Sequence, residues 1–333
     1  MASAEKLGER RIIEIIQSRL DHMPKMPVPF GDDVSACEIG GGNLIILKTD
    51  MLAGKTDVPK GMNLWQAARK AVVMNVSDFA AKGVKPIAML VSLGMPRSLR
   101  QSDVEELGDG LNAGAREYGA YVIGGDTGEA SDLVISLSVF GMMRKSKLML
   151  RSGARPGDLL AVTGPFGKPP AGLKILVDNF KAPKEIEKTL VQSVLMPHAR
   201  LKEGLALSQT GAVSAAIDSS DGLAWSLYEI ARASKVGVLI SSLPVAKEAA
   251  RFARINKLDP SALALYGGEE YELILAVKPR LWGKAEKAFE KVGGKLVKIG
   301  KTTAGKNVLM ETRGKHVLIA PKGYEHLKTQ VSF

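Results

Sequence analysis

Apolar and polar positions follow two rhythms along this chain, and each change of rhythm marks an element. Near the N-terminus, Ile12, Ile13, Ile15, Ile16 and Leu20 share one face at helical spacing. Asn43–Leu47 is a short apolar run preceded by Gly40-Gly41-Gly42 and closed by Thr49-Asp50. That pattern predicts a buried strand with an acid at its end. From Asn63, a good N-cap, to Gly83, a plausible stop, the spacing predicts a helix. At about 100° per residue, Leu64, Ala68, Ala71, Val72 and Phe79 share its inner face, with Asn75 inside that stripe and Asp78 at its edge. Pro86–Leu93 reads as a strand, and Ser102–Glu105 as a capping box opening a helix that ends near Gly119. Tyr121–Ile123 and Leu133–Gly141 read as strands, the first running into Gly124-Gly125-Asp126-Thr127.

After the charged run Arg144–Lys147 the grammar repeats. Strands are expected at Leu159–Val162, Ala212–Ile217, Val236–Ile240, Tyr271–Val277 and Lys295–Ile299. Helices are expected over Ile186–Leu195, onward to about Leu207, after Asp218-Ser219-Ser220-Asp221-Gly222 with Ser220 as a cap, and up to Lys291. A hairpin turns at Arg313-Gly314. This alternation predicts an α/β or α+β protein in two related-looking halves, divided into residues 1–146 and 147–333.

Composition narrows the class. A chain of 333 residues has room for two cores, and 45% hydrophobic with 24% charged residues suits a globular protein. No apolar run reaches the roughly 18 residues of a membrane span, and the N-terminus lacks an apolar signal core. A single cysteine, Cys37, excludes an internal disulfide and fits a cytoplasmic address. The net charge of +11 invites a nucleic-acid reading. Lys and Arg are dispersed, however, and aromatics make up only 5%, too few for a stacking platform. A basic surface that attracts small anions is the better expectation, with nucleic-acid binding as a minor alternative.

Acids recur at the ends of the expected strands and helices: Asp32 (beside Asp33), Asp50, Asp78, Asp126, Asp218 and Asp221. Each alone is more often structural. Converging on one cleft, they would hold several hard cations, with Mg²⁺ the natural guest beside phosphate oxygens. Such a site suits phosphoryl transfer. Other chemistries fit less well. Gly164–Lys168 lacks the spacing and hydroxyl of a P-loop, and Gly108–Ala113 matches GxGxxA without a strand leading into it. None of the four histidines forms a zinc-like pair, and Cys37 has no histidine near it in sequence.

The ordered set GDD (31–33), KTD (48–50), MNVSD (74–78), IGGDT (123–127), RSGARPGD (151–158), IDSSDGL (217–223) and GGEEYEL (267–273) resembles that of the thiamine-monophosphate kinases. These belong to the superfamily of aminoimidazole ribonucleotide synthetase. The resemblance runs from about Leu7 to Leu327. It implies an N-terminal α/β domain whose strands pair across a homodimer, and a C-terminal α/β domain. It also implies a cleft in which ATP and several Mg²⁺ ions phosphorylate thiamine monophosphate. By position it implies metal ligation by Asp32, Thr49, Asp50, Asp78, Asp126, Asp218 and Asp221, with Asp50, Asp78 and Asp126 central to catalysis. ATP contacts fall on Gly125, Asp126, Arg151 and Ser220, and substrate contacts on Asp57, Glu269 and Tyr324.

Departures from the family are local. Seven residues beyond Asp50, where bacterial members carry a substrate-binding histidine, this chain has Asp57. Glu270 replaces an aspartate of the GGEDYEL motif, and Ser219 stands where an aliphatic residue is usual. Among relatives, Cys37 is misplaced for a selenophosphate synthetase, and Val331-Ser332-Phe333 replaces the terminal cysteine of hydrogenase-maturation proteins. A cyclase like aminoimidazole ribonucleotide synthetase remains the alternative enzyme.

Overall fold

The computed structural model describes residues 3–327; Val331-Ser332-Phe333 lies outside them. In the first half, α1 (Ala4–Gln17) precedes the hairpin strands β1 (Ser35–Glu38) and β2 (Asn43–Ala53). A single turn, α2 (Gly54–Asp57), leads to the long α3 (Leu64–Lys82), then β3 (Pro86–Met95) and α4 (Gln101–Glu117). β4 (Tyr121–Glu129) and β5 (Val134–Arg144) complete a five-stranded sheet of order β1-β2-β5-β3-β4. It is antiparallel except where β3 and β4, joined through α4, run parallel.

The second half opens with β6 (Leu159–Val162), α5 (Lys168–Leu176), α6 (Lys184–Leu195), α7 (Leu201–Ser208) and β7 (Val213–Asp218). It continues through α8 (Leu223–Ser234), β8 (Gly237–Ile240), α9 (Lys247–Ile255), α10 (Pro260–Tyr266) and β9 (Leu273–Val277). α11 (Trp282–Glu290), β10 (Val297–Thr303), β11 (Val308–Thr312) and β12 (Lys315–Leu318) close it. Its seven strands are ordered β12-β11-β8-β10-β6-β9-β7. No helix among the described residues is long and apolar enough to cross a membrane.

The helix α3 joins the two halves. Asn63 accepts the Gln66 amide at 2.8 Å while Gln66 returns the bond to Asn63, and Gly83 ends the helix at φ 68°. A one-sided stripe was expected, yet burial runs around the whole circumference from Ala67 to Lys82, Met74 excepted. One face lies against β2 and β5, another against α7 and β7, so its core links Val72, Phe79 and Leu137 with Ala216 and Leu273. Full burial of Phe79 alone contributes roughly 1.5–3 kcal/mol. The same placement takes Arg69, Lys70 and Lys82 out of water, and each must find an acceptor.

Several expectations shift for identifiable reasons. β2 continues to Ala53 because it pairs with β5 along its whole length, so Asp50 lies within the strand rather than at its end. β4 likewise extends to Glu129, which puts Gly124, Gly125 and Asp126 inside an edge strand. α4 starts at Gln101, where the Asp103 carboxylate accepts the Arg100 amide at 2.8 Å. Gly110 of the GxGxxA match and the following Gly114 serve helix packing instead: a Cβ there would meet Trp65 O at 2.3 Å or Val72 Cβ at 2.9 Å. Small residues let α4 close on α3. Gly222, not Ser220, caps α8, and it does so without a side-chain bond. The isoleucines of α1 do not enter a core, with Ile13 and Ile16 45% and 53% exposed. Gly8 interrupts that helix at φ 72°, and Arg10 instead stacks over Trp225 at 3.7 Å.

Candidate active site

Every second residue of β2 turns toward α3: Leu44, Ile46 and Leu52 are fully buried, and Lys48 and Asp50 occupy the same face between them. Across from them α3 presents Asp78, and β7 ends in Asp218. Carboxylate oxygens of Asp33, Asp78 and Asp218 lie within 4.8 Å of one another, and all three residues are buried. Lys48 Nζ sits 2.8 Å from Asp78 Oδ2, and Ser77 Oγ donates to Asp218 Oδ2 at 2.6 Å.

With the neighbouring Asp32 and Asp50 counted, five carboxylates face three cations, Lys48, Lys82 and Arg151. Burial pushes Asp78 well above the carboxylate range; Lys48 pulls it back, but Asp218, Asp33 and Asp50 add to the rise. Asp218 is raised to about 6, chiefly by burial and then by Asp33, against the hydrogen bond from Ser77. Asp33 behaves oppositely. Burial raises it, but Arg151 and Lys82 outweigh that and hold it below its ordinary value. Three oxygen donors this close, two of them reluctant to ionise together, fit a hard divalent cation.

Of the two GDD acids, Asp33 therefore enters the cluster, whereas Asp32 serves as its support. Asp32 takes Lys82 at 2.7 Å, the Arg151 amide at 3.0 Å and the Asp33 amide at 2.8 Å. Arg151 donates from Nε to Asp33 at 2.6 Å and from a terminal nitrogen to Gly31 O at 2.7 Å. Thr49 falls on the other face of β2, donating to Leu137 O at 2.9 Å. Asp126 also stands apart, on the exposed strand β4 with β3 and β5 between it and β2. The close approach that Gly125 permits is to β3, since a Cβ would lie 1.8 Å from Val91 O.

Two cavities meet beside the cluster, sharing Ser220, Asp221 and Tyr324 in their walls. One, of about 300 Å³, is lined by Arg10, Arg151, Asp218 and Trp225. Burial raises Asp221 to about 7, with repulsion from Glu9 adding and Arg10 opposing. The second cavity, of about 490 Å³, is lined by Asp57, Met74, Glu269 and Tyr271. Glu269, at φ 64°, is fixed by its amide on Ser220 O at 2.7 Å and by Lys70 Nζ on its carboxylate at 2.5 Å. Asp57 is not a solvated loop acid: its carboxylate accepts the Ala53 amide at 2.8 Å, and its carbonyl accepts Lys70 Nζ at 2.9 Å. Tyr324 is tied by its amide to Asp221 O at 3.0 Å.

Lys48, Lys70, Ser77 and Lys82 were not singled out from sequence. The one usable signal is Lys82, which falls at the same angle as Leu64 within the apolar stripe of α3, whereas Lys70 lies on the opposite side.

Two sheets with an acidic cluster in the cleft between them define an AIR synthase related protein. The N-terminal domain of that family matches residues 31–143 and its C-terminal domain residues 155–311. The thiamine-monophosphate kinase of Nitrosopumilus maritimus is 34% identical over 323 residues, spanning 97% of this chain and 99% of the relative. That of Pyrococcus horikoshii is 35% identical over 325 residues, 97% of each chain. A solved structure described as AaThiL complexed with AMPPCP and TMP superposes with a TM-score of 0.85 at 28% identity, covering 98% of this chain and 99% of that one. The chain belongs to the thiamine-monophosphate kinase family.

Proposed function

We propose that this protein transfers the terminal phosphoryl group of ATP to thiamine monophosphate, giving thiamine diphosphate and ADP. The observation that carries the reading is the Asp33–Asp78–Asp218 cluster, whose Asp218 lines the smaller of two cavities that share Ser220, Asp221 and Tyr324. Asp33, Asp78 and Asp218, with Asp50 from the same face of β2, are the ligands for several Mg²⁺ ions. When bound, Mg²⁺ neutralises phosphate charge and polarises the group in transfer. The chain's own part is positioning. Ser77 and the Lys82–Arg151 pair fix two of the carboxylates, and the smaller cavity, with Arg151 and Ser220, receives the nucleotide. The larger cavity takes thiamine monophosphate against Glu269, Tyr324 and the turn that Asp57 closes. In-line transfer needs little covalent chemistry from a protein that holds both phosphates in register.

We divide the chain into domains at residues 1–146 and 147–333 and assign it to the cytoplasm, which its single cysteine suits. We also propose a homodimer. The face of the five-stranded sheet away from α3 and α4 leaves Met51, Leu90, Tyr121 and Ile123 between 50% and 68% exposed, beside the unpaired edge of β4. A second copy seated there removes both liabilities and places Asp126 at the seam. Ile123→Lys should then give a monomer in light scattering, and an unchanged mass would reject that face.

The activity is tested by incubating the protein with ATP, Mg²⁺ and thiamine monophosphate and separating the products. Thiamine diphosphate and ADP should form in equal amounts, and Asp218→Asn should cut the rate by at least about a hundredfold. ATP binding without any thiamine diphosphate would overturn the proposal.

A further inference from the structure

Lys48 brings a positive charge into the most negative part of the cleft. Lys82 and Arg151 are already committed to Asp32 and Asp33, each within hydrogen-bonding distance. Asp50, Asp78 and Asp218 therefore share Lys48. Its ammonium lies 2.8 Å from Asp78 Oδ2, and its side chain is 22% exposed. An ammonium is a compact point charge that donates three hydrogen bonds but ligates nothing. A divalent ion on the same Asp78 oxygen would sit at about 2.1 Å from it and so within about 5 Å of the ammonium, where the two cations compete for one carboxylate and repel.

We propose that Lys48 is a built-in cation of the metal site, whose ammonium takes the position beside Asp78 that one divalent ion would otherwise occupy. It holds the Asp78 carboxylate in place before any ion arrives, and it lowers by one the number of ions the nucleotide-free cleft binds. The inference rests on the multi-Mg²⁺ reading of the cleft and adds a residue that sets ion count.

The test needs no substrate. Mn²⁺ is titrated calorimetrically into wild type and Lys48→Met without nucleotide, and both are melted in EDTA and in Mn²⁺. Lys48→Met should bind one additional ion, or bind Mn²⁺ about tenfold more tightly, as expected on removing a cation at contact distance from a carboxylate. Its melting temperature should fall in EDTA and recover with Mn²⁺, whereas Lys48→Arg should keep the wild-type ion count. Equal stoichiometry and affinity in wild type and Lys48→Met would overturn the role of Lys48 while leaving the metal site standing. No Mn²⁺ binding by either protein would overturn both. If Lys48→Met folds only with Mn²⁺, the double variant Lys48→Met/Asp78→Asn, lacking both charges, should fold in EDTA. Failure of that variant to fold would make the lysine a packing element and overturn the proposal.

Discussion

Lys82→Met tests whether the GDD acids depend on a buried cation. Lys82 is fully buried, and its three donors meet three acceptors: Asp32 and Asp33 at 2.7 Å each and Ala216 O at 2.8 Å. At an effective dielectric of about 20, each 2.7 Å pair is worth about 6 kcal/mol gross. Desolvation of the three charges cancels most of that in the intact protein. The variant keeps the desolvation and loses the attraction, which by analogy with other broken buried pairs costs roughly 3–5 kcal/mol. Arg151 still touches both acids, so the lower half of that range is expected. At roughly 2–3 °C per kcal/mol for a chain of this size, the melting temperature should fall by roughly 6–12 °C. Scanning calorimetry in EDTA is the assay, because added Mg²⁺ would supply substitute charge and mask the loss. A fall below about 2 °C would refute the reasoning, since the acids would then be neutral or solvated without Lys82.

Three further outcomes follow from the site. Asp50→Asn should abolish thiamine diphosphate formation, and near-normal turnover would remove it from the metal site; Asp126→Asn, on the exposed strand β4 away from the cluster, should leave stability within about 0.5 kcal/mol of wild type. Burial raises Glu270 well above the carboxyl range, with Gly167 opposing and Glu272 adding, so the folded state holds that proton more tightly than the unfolded one and stability drops as pH rises above the ordinary value. Glu270→Gln should therefore melt higher than wild type at pH 8 but not at pH 4, and parallel curves across that range would reject the buried-acid account. Asp57→Asn keeps an acceptor for the Ala53 amide and should leave the Michaelis constant for thiamine monophosphate near wild type, whereas Asp57→Ala should raise it and cost about 1 kcal/mol of stability; equal damage from both would make the charge itself the substrate contact.

The alternation of strands and helices was legible because the change in hydrophobic period is local information. Lengths were not. β2 reaches Ala53 because β5 lies opposite it for eleven residues, a partner more than eighty positions away. The candidate acids were legible as a set but not as a geometry. Asp32 and Asp33 are interchangeable in sequence, and only the docking of Lys82 and Arg151 decides which one faces Asp78. Lys70 reads as a solvated helix charge until α3 is found with a sheet on either side. Asp57 is legible only as the residue seven beyond Asp50, and nothing in the sequence shows that Lys70 approaches this turn at its carbonyl rather than its carboxylate.

The placement of these groups on α3 follows one rule. Lys70, Met74, Asp78 and Lys82 are spaced four apart, so they form a single slowly turning ridge about 18 Å long. Lys70 fixes Glu269 at the larger cavity, and Met74 lines that cavity's wall. Asp78 enters the carboxylate cluster, and Lys82 anchors the GDD acids at the far end. The ridge thus runs from the proposed substrate pocket, through the metal site, to the segment that holds Arg151. Because its neighbours come from both sheets, rotation of α3 by one residue would displace every group at once. The capping box at Asn63 and the left-handed Gly83, where a Cβ would lie 2.3 Å from Ser208, fix both ends of the helix and so set the register of the whole cleft.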